Sequence, residues 1–305
     1  MPNSQQVIAV VSSVALVVSS MGLDGCKKKE SQAGQQAQAP TTTYAMPTPD
    51  QLYQLVAPIA LFPDNLVAIV LASSTYPDQI TAAWQWMQQN GGLKGPQLMQ
   101  SVDQQPWDAS VKGLTQFSDV LQQMATNLSW TSSLGDSYFN APQNVMNAVQ
   151  VMRQRAYQAG NLKSTPQQNV QVENQPAGTE PAPASSGEEQ QVTVVQSPPQ
   201  TIVIQPAQPD IVYVPSYNPT EVYGAPVPAP PGYSTEAMVT TGLVSFGVGL
   251  LVGAALNNNN DCCGWGYNSW NTGWNNSSVH YNNNVYVSNS NTFVNRNNYN
   301  NANYN

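Results

Sequence analysis

From Thr48 to Asn90 the chain reads TPDQLYQLVAPIALFPDNLVAIVLASSTYPDQITAAWQWMQQN, and three helix starts follow one another within it. Thr48-Pro49-Asp50-Gln51 has a capping-box pattern with proline at the first helical position. Leu52, Leu55 and Val56 then give a buried face. Phe62-Pro63-Asp64 leads into Leu66, Ile69 and Val70, while Tyr76-Pro77-Asp78 leads into Ile80, Ala83, Trp84 and Met87. Both runs are spaced i, i+3, i+4, the period of an amphipathic helix. Asn90-Gly91-Gly92 ends the third.

Further helices are expected from about Pro96 to Val102, Asp108 to Leu114 and Ser118 to Leu128, each opened by a residue that restrains or caps a first turn. Pro142 starts another, in which Val145, Val149 and Met152 line one face. Arg153 and Arg155 lie near its C-terminal end, favourable to the helix dipole, and Gly160-Asn161 stops it. The expected fold is mainly α: a multi-helix, bundle-like domain over residues 48–163, carrying a small β appendage over 164–224. Asn169 to Glu173, Val192 to Val195, Thr201 to Gln205 and Ile211 to Val214 read as short strands rich in Val and Ile. Tyr213, Tyr217 and Tyr223 are placed to cover the helices. A disordered linker, 174–190, interrupts the appendage, and a Pro-rich linker, 225–237, follows it.

Met238 to Leu256 is uncharged and rich in glycine, and reads as a Gly-rich apolar helix able to enter or associate with a membrane. Gly242, Gly249 and Gly253 are its expected helix–helix contacts. Residues 257–305 contain 20 asparagines interleaved with Trp265, Trp270, Trp274 and five tyrosines. This composition reads as a low-complexity, disordered tail unable to bury a core, with stacked β-assembly as its other reading.

At the other terminus, residues 1–25 read as a signal peptide whose apolar run spans Val7 to Val18. Leu23-Asp24-Gly25-Cys26 is similar to a lipoprotein processing box, which makes Cys26 the expected lipid attachment site, followed by a flexible tether, 26–47. The alternative is an uncleaved anchor with Lys27 to Lys29 on the cytoplasmic side. Lys27 after the cysteine favours the periplasmic face of the outer membrane. Expected partners are therefore the membrane, through the lipid and residues 238–256, and an envelope protein or a second copy.

Only 9% of the residues are charged and the net charge is −8, with 9 Lys+Arg against 17 Asp+Glu, which argues against a nucleic-acid partner. One histidine, His280, and three cysteines leave no basis for a His-rich metal centre or a disulfide framework. No cofactor or metal is expected. A Ser-His-Asp hydrolase would have to recruit His280 from the tail. Adjacent Cys262 and Cys263 lack a C-x-x-C spacing, and a disulfide between chains is their expected use. Neither glutamate nor histidine occurs between Ser31 and Val172, so a glycosidase pair would have to come from aspartates. Asp50, Asp64, Asp78, Asp108 and Asp119 all fall at helix starts, where capping and the dipole account for them. Asp103 and Asp136 do not, and are the candidates for an Asp-dependent enzyme acting on envelope polysaccharide. Trp84, Trp86, Trp107 and Trp130 read as core packing rather than a sugar-stacking surface.

Five phrases carry a resemblance: Leu55-Val56-Ala57-Pro58-Ile59-Ala60-Leu61-Phe62-Pro63-Asp64, Ser74-Thr75-Tyr76-Pro77, Trp107-Asp108-Ala109-Ser110-Val111-Lys112, Gly160-Asn161-Leu162-Lys163-Ser164-Thr165-Pro166 and Val212-Tyr213-Val214-Pro215-Ser216-Tyr217-Asn218-Pro219. In this order, across Asp50 to Gly224, they resemble the bacterial domain of unknown function family 3300. The resemblance implies an exported envelope protein with a Gly/Ala-rich apolar segment and an Asn/Arg-rich tail, and brings no activity or catalytic residues. The chain departs from the pattern by an insertion from Asn174 to Gln196, by having only Arg296 as a tail arginine, and by the doubled cysteine. The expected function is that of a non-enzymatic envelope lipoprotein, a structural or interaction module. The alternatives are the Asp-dependent enzyme and a self-assembling matrix component driven by the tail.

Overall fold

The capping box at Thr48 forms as expected: Gln51 N donates to Thr48 Oγ1 and Thr48 N donates to Gln51 Oε1. It opens α1 (Pro49–Val56), which buries Leu52, Leu55 and Val56. The computed structural model describes residues 45–174, 195–234, 243–252 and 263–293. Among them α1 is followed by α2 (Asp64–Ser74), α3 (Pro77–Gln89), α4 (Gly95–Asp103), α5 (Ala109–Leu114), α6 (Ser118–Thr126), α7 (Leu128–Asn140) and α8 (Pro142–Gln158). Helix α2 is the axis of the core. Ten of its eleven residues are buried, as expected of a helix surrounded on every side, and α3, α5 and α7 pack around it.

Helix α7 was not anticipated, because its sequence, LSWTSSLGDSYFN, combines four serines with a glycine. Packing overrides that poor propensity. A Cβ at Gly135 would stand 2.1 Å from the backbone oxygen of Ser74, so glycine is what allows α7 to approach the end of α2. Trp130, fully buried on α7, donates its indole N–H to Leu55 O at 2.9 Å.

The expected strands Asn169 to Glu173 and Thr201 to Gln205 lie inside β1 (Gln168–Asn174) and β2 (Gln200–Pro206), which pair antiparallel along their whole length. Val192 to Val194 and most of the expected linker 174–190 lie outside the described residues. Val195 is held by α8, its N–H donating to Asn144 Oδ1 and its carbonyl accepting from Asn147. Gln150 makes the same two-way contact with Ile202. Tyr217 and Tyr223 cover the helices as expected, both donating to Ala57 O from buried positions.

Two expectations are corrected. The described part of the Gly-rich segment, residues 243–252, is extended rather than helical: β5 (Val244–Phe246) pairs with β4 (Pro215–Tyr217), and β6 (Leu250–Leu251) pairs with β3 (Ile211–Val212). Gly249 makes no helix–helix contact. A Cβ there would come within 2.5 Å of Ile211 and 2.8 Å of the Tyr213 ring, so this glycine permits close strand contact. Gly242 and Gly253 lie outside the described residues. Among those described, no helix is long and apolar enough to cross a membrane.

The second correction concerns the tail. Residues 263–293, expected to be disordered, include β7 (Trp270–Gly273), β8 (Ser278–Tyr281) and β9 (Asn284–Val285) in one antiparallel sheet. It packs on α2 and α8 and buries Trp265, Tyr267, Trp270 and Val279. On β7 and β8 Trp270, Thr272 and Val279 turn inward while Asn271 is exposed, so a polar average conceals an inward face, although Val285 of β9 stays exposed. The remainder of the tail lies outside the described residues, as do Cys26, the signal peptide and nearly all of the tether.

Candidate functional site

Helix α8 carries Asn144, Asn147, Gln150 and Arg153 three residues apart, all buried. This polar stripe meets the backbone of residues 195–202 and ends in a charge. Arg153 is fully buried, and its guanidinium donates to Ala60 O at 2.8 Å, Phe62 O at 2.8 Å, Ile202 O at 2.7 Å and Asp64 Oδ1 at 2.6 Å. A buried charge is tolerable when it is paired and its donors are used. Arg153 is thus a core tie, a role beyond the favourable placement near the C-terminal end of α8 that the sequence suggested. Arg155 lies in the last turn of α8 over the Tyr53 ring, at 4.5 Å.

Asp64 lies in the first turn of α2 as expected, but it makes no side-chain cap and has further partners. Its Oδ1 accepts from Arg153 and from Ile204 N, and its Oδ2 accepts from the Trp274 indole N–H at 2.8 Å. The Arg153 guanidinium also lies 4.7 Å from the Trp274 ring centroid. Helical domain, hairpin and tail therefore meet at one carboxylate. Tyr267, next to this knot, has its hydroxyl held above the ordinary phenol range by burial first and by the Asp64 charge second.

Over the knot opens a cleft of about 560 Å3. One wall is the β1–β2 hairpin, where Thr201, Val203 and Gln205 line the cleft while Ile202 and Ile204 between them enter the core. The other is β7 with the turn Trp274–Asn276 and His280 of β8. The structure thereby brings Asp64, Glu173 and His280 to one cavity, which the sequence reading did not foresee.

Ser278 Oγ donates to Asn276 Oδ1 at 2.8 Å and lies 2.8 Å from His280 Nε2, so the three side chains form one cluster on this wall. A Cβ on Gly273 would fall 2.2 Å from Asn276 Oδ1 and 2.9 Å from His280 Nε2, so glycine leaves room for this cluster.

The earlier acid candidates are engaged separately. Asp103, at the end of α4, accepts from the Trp265 indole N–H at 2.8 Å, and Asp136, within α7, accepts from Asn140 Nδ2 at 3.2 Å. Asp108 caps α5 by accepting from Ser110 N, and it also receives the Tyr286 hydroxyl proton at 2.9 Å. Asp50, Asp78 and Asp119 occupy first turns as expected. Of the four helical-domain tryptophans, Trp130 is core, Trp86 and Trp107 meet edge to face at 5.7 Å, and Trp84 packs on the core partly buried. Cys263 is disulfide-bonded, and Cys26 and Cys262 lie outside the described residues. Among the described residues no group of three or more His, Cys, Asp or Glu side chains could hold a metal ion.

The sequence model of a family described as protein of unknown function (DUF3300) matches residues 48–304. The chain is also similar to the uncharacterized protein YacH of Escherichia coli strain K12, with 42% identity over 181 residues. That match covers 57% of this chain and 29% of YacH, so the chain corresponds to under a third of that relative's length. No solved structure matches it.

Proposed function

This chain belongs to the DUF3300 family, and from its own residues we propose that it is a non-enzymatic envelope lipoprotein, tethered through Cys26, which acts as an interaction module. The observation that carries this reading is the use made of acidic groups inside the fold. Asp64 is committed to Arg153 and Trp274, Asp103 to Trp265, and Asp108 to its helix cap and Tyr286. Carboxylates satisfied in this way stabilise the structure and hold charge in place, whereas a general acid needs an environment that keeps its proton. Leu243, Val248 and Leu251 expose apolar side chains on the short β5–β6 segment. They supply the surface through which a tethered protein would touch lipid or an envelope partner.

The test is intact mass spectrometry of the full chain extracted from membranes, beside a Cys26→Ala variant, with both assayed on purified envelope polysaccharide. The expected mature species starts at a lipidated Cys26, is lost in the variant, and releases no sugar from the polymer. An unprocessed N-terminus overturns the tether. Sugar release abolished by Asp103→Asn or Asp136→Asn overturns the non-enzymatic reading.

A further inference from the structure

The cleft between β2 and β7 combines uncharged polar side chains with one aromatic ring. Gln205, Asn271 and Asn275 place exposed amides along it, and an amide both donates and accepts, as a sugar hydroxyl does. Thr272 lines the same cleft at 8% exposure, yet its hydroxyl has no hydrogen-bond partner. A buried unpaired hydroxyl is costly, and a ligand hydroxyl entering the cleft would relieve it.

Trp274 supplies an aromatic surface. It is half-buried and held from behind, with its N–H on Asp64 and the Arg153 guanidinium against its ring. A ring fixed in this way loses little freedom when a pyranose packs its C–H face on it. Charge narrows the choice further. Arg153 is fully buried and spent on four acceptors, Asp64 among them, so that pair is neutral and Glu173 is the acidic side chain left to charge the cleft lining. Phosphate and uronate groups would be repelled. Among the described lining residues Val203 and Trp274 are the apolar side chains.

From these features we infer that the cleft is a binding site for a short neutral oligosaccharide. Its volume falls within the range of about 300–1,000 Å3 common to small-molecule sites. The sugar rests on Trp274, hydrogen bonds to the amides of Gln205 and Asn271, and completes the bonding of Thr272. Asn276, Ser278 and His280 hold one another as part of the wall. The inference rests on the cleft's own geometry and does not depend on the lipid tether.

The test titrates the full chain with maltotriose, cellotriose and triacetylchitotriose as neutral probes and with trigalacturonate as an anionic one, read by tryptophan fluorescence and saturation-transfer NMR. At least one neutral trisaccharide is expected to bind saturably. A Gln205→Ala/Asn271→Ala variant, altered only on the exposed walls, is expected to bind it about tenfold more weakly. Thr272→Val discriminates further. Removing an unpartnered buried hydroxyl should leave the melting temperature unchanged or raise it while weakening the sugar, two effects that general damage to the fold cannot produce together. The inference is overturned if none of the neutral probes binds at about 10 mM, if binding is unchanged in both variants, or if trigalacturonate is preferred.

Discussion

The helical domain and the Asn-rich tail bury aromatic side chains to the same degree, but they announce it differently. Trp130 on α7 and Trp270 on β7 are both fully buried. Trp130 sits in a region where apolar residues recur at helical spacing and proline or aspartate marks each start, so collective burial is evident before any contact is known. Trp270 sits among asparagines, in strands of two to four residues. A polar average over such a stretch hides an inward face only a few residues long. Low complexity is a statement about composition, whereas foldedness depends on whether the few large side chains share a face and find a preformed surface to cover. Here α2 and α8 provide that surface.

The largest effect that could break this comparison is expected at the joint between the regions. Arg153→Met removes the cation from a fully buried pair and leaves Asp64 uncompensated, with a cost of about 3–5 kcal/mol. Urea melts should show it, and indole fluorescence from the tail should change in the same transition as helical circular dichroism. Separate transitions would mean that the tail is an attachment to an independent helical domain.

A smaller effect concerns pH. Burial holds the hydroxyls of Tyr217 and Tyr223 beneath the helices, and of Tyr267 in the tail, above the ordinary phenol range. Their folded-state values are raised, so the folded chain keeps protons that the unfolded chain gives up above about pH 10. This contribution to stability is full below that pH and falls as pH rises beyond it. Urea midpoints should drop above about pH 10, with phenolate absorbance from the buried tyrosines appearing together with unfolding. Early titration of Tyr267 alone would mark the tail as the looser region.

What could be read beforehand follows physical range. The Thr48 capping box, the buried face of α1 and the α8 start at Pro142 are local, set by neighbours within one turn, and the sequence carries them openly. Helix α7 did not show, because its serines and Gly135 signal a break while the contact that requires Gly135 comes from Ser74, far along the chain. Gly249 misled for a similar reason, since its spacing suits paired helices but its actual neighbours are Ile211 and Tyr213 of a strand segment.

The site was less legible than the fold. Asp64 and Arg153 are 89 residues apart, and each has an adequate local explanation. One sign was present: Arg153 extends a three-residue repeat of Asn144, Asn147 and Gln150 beside the apolar stripe of α8, where a charge needs a partner. The cleft itself gave no comparable sign, because its walls come from β2 and from a tail whose composition suggested no wall at all.

Amide hydrogen exchange on the full chain tests the central claim most directly, namely that residues 263–293 are part of the folded core. The account predicts that Trp270 to Gly273 and Ser278 to Tyr281 are protected to a degree close to that of α2, and that Arg153→Met lowers both together. Exchange of the tail amides at unprotected rates, with α2 still fully protected, would contradict it.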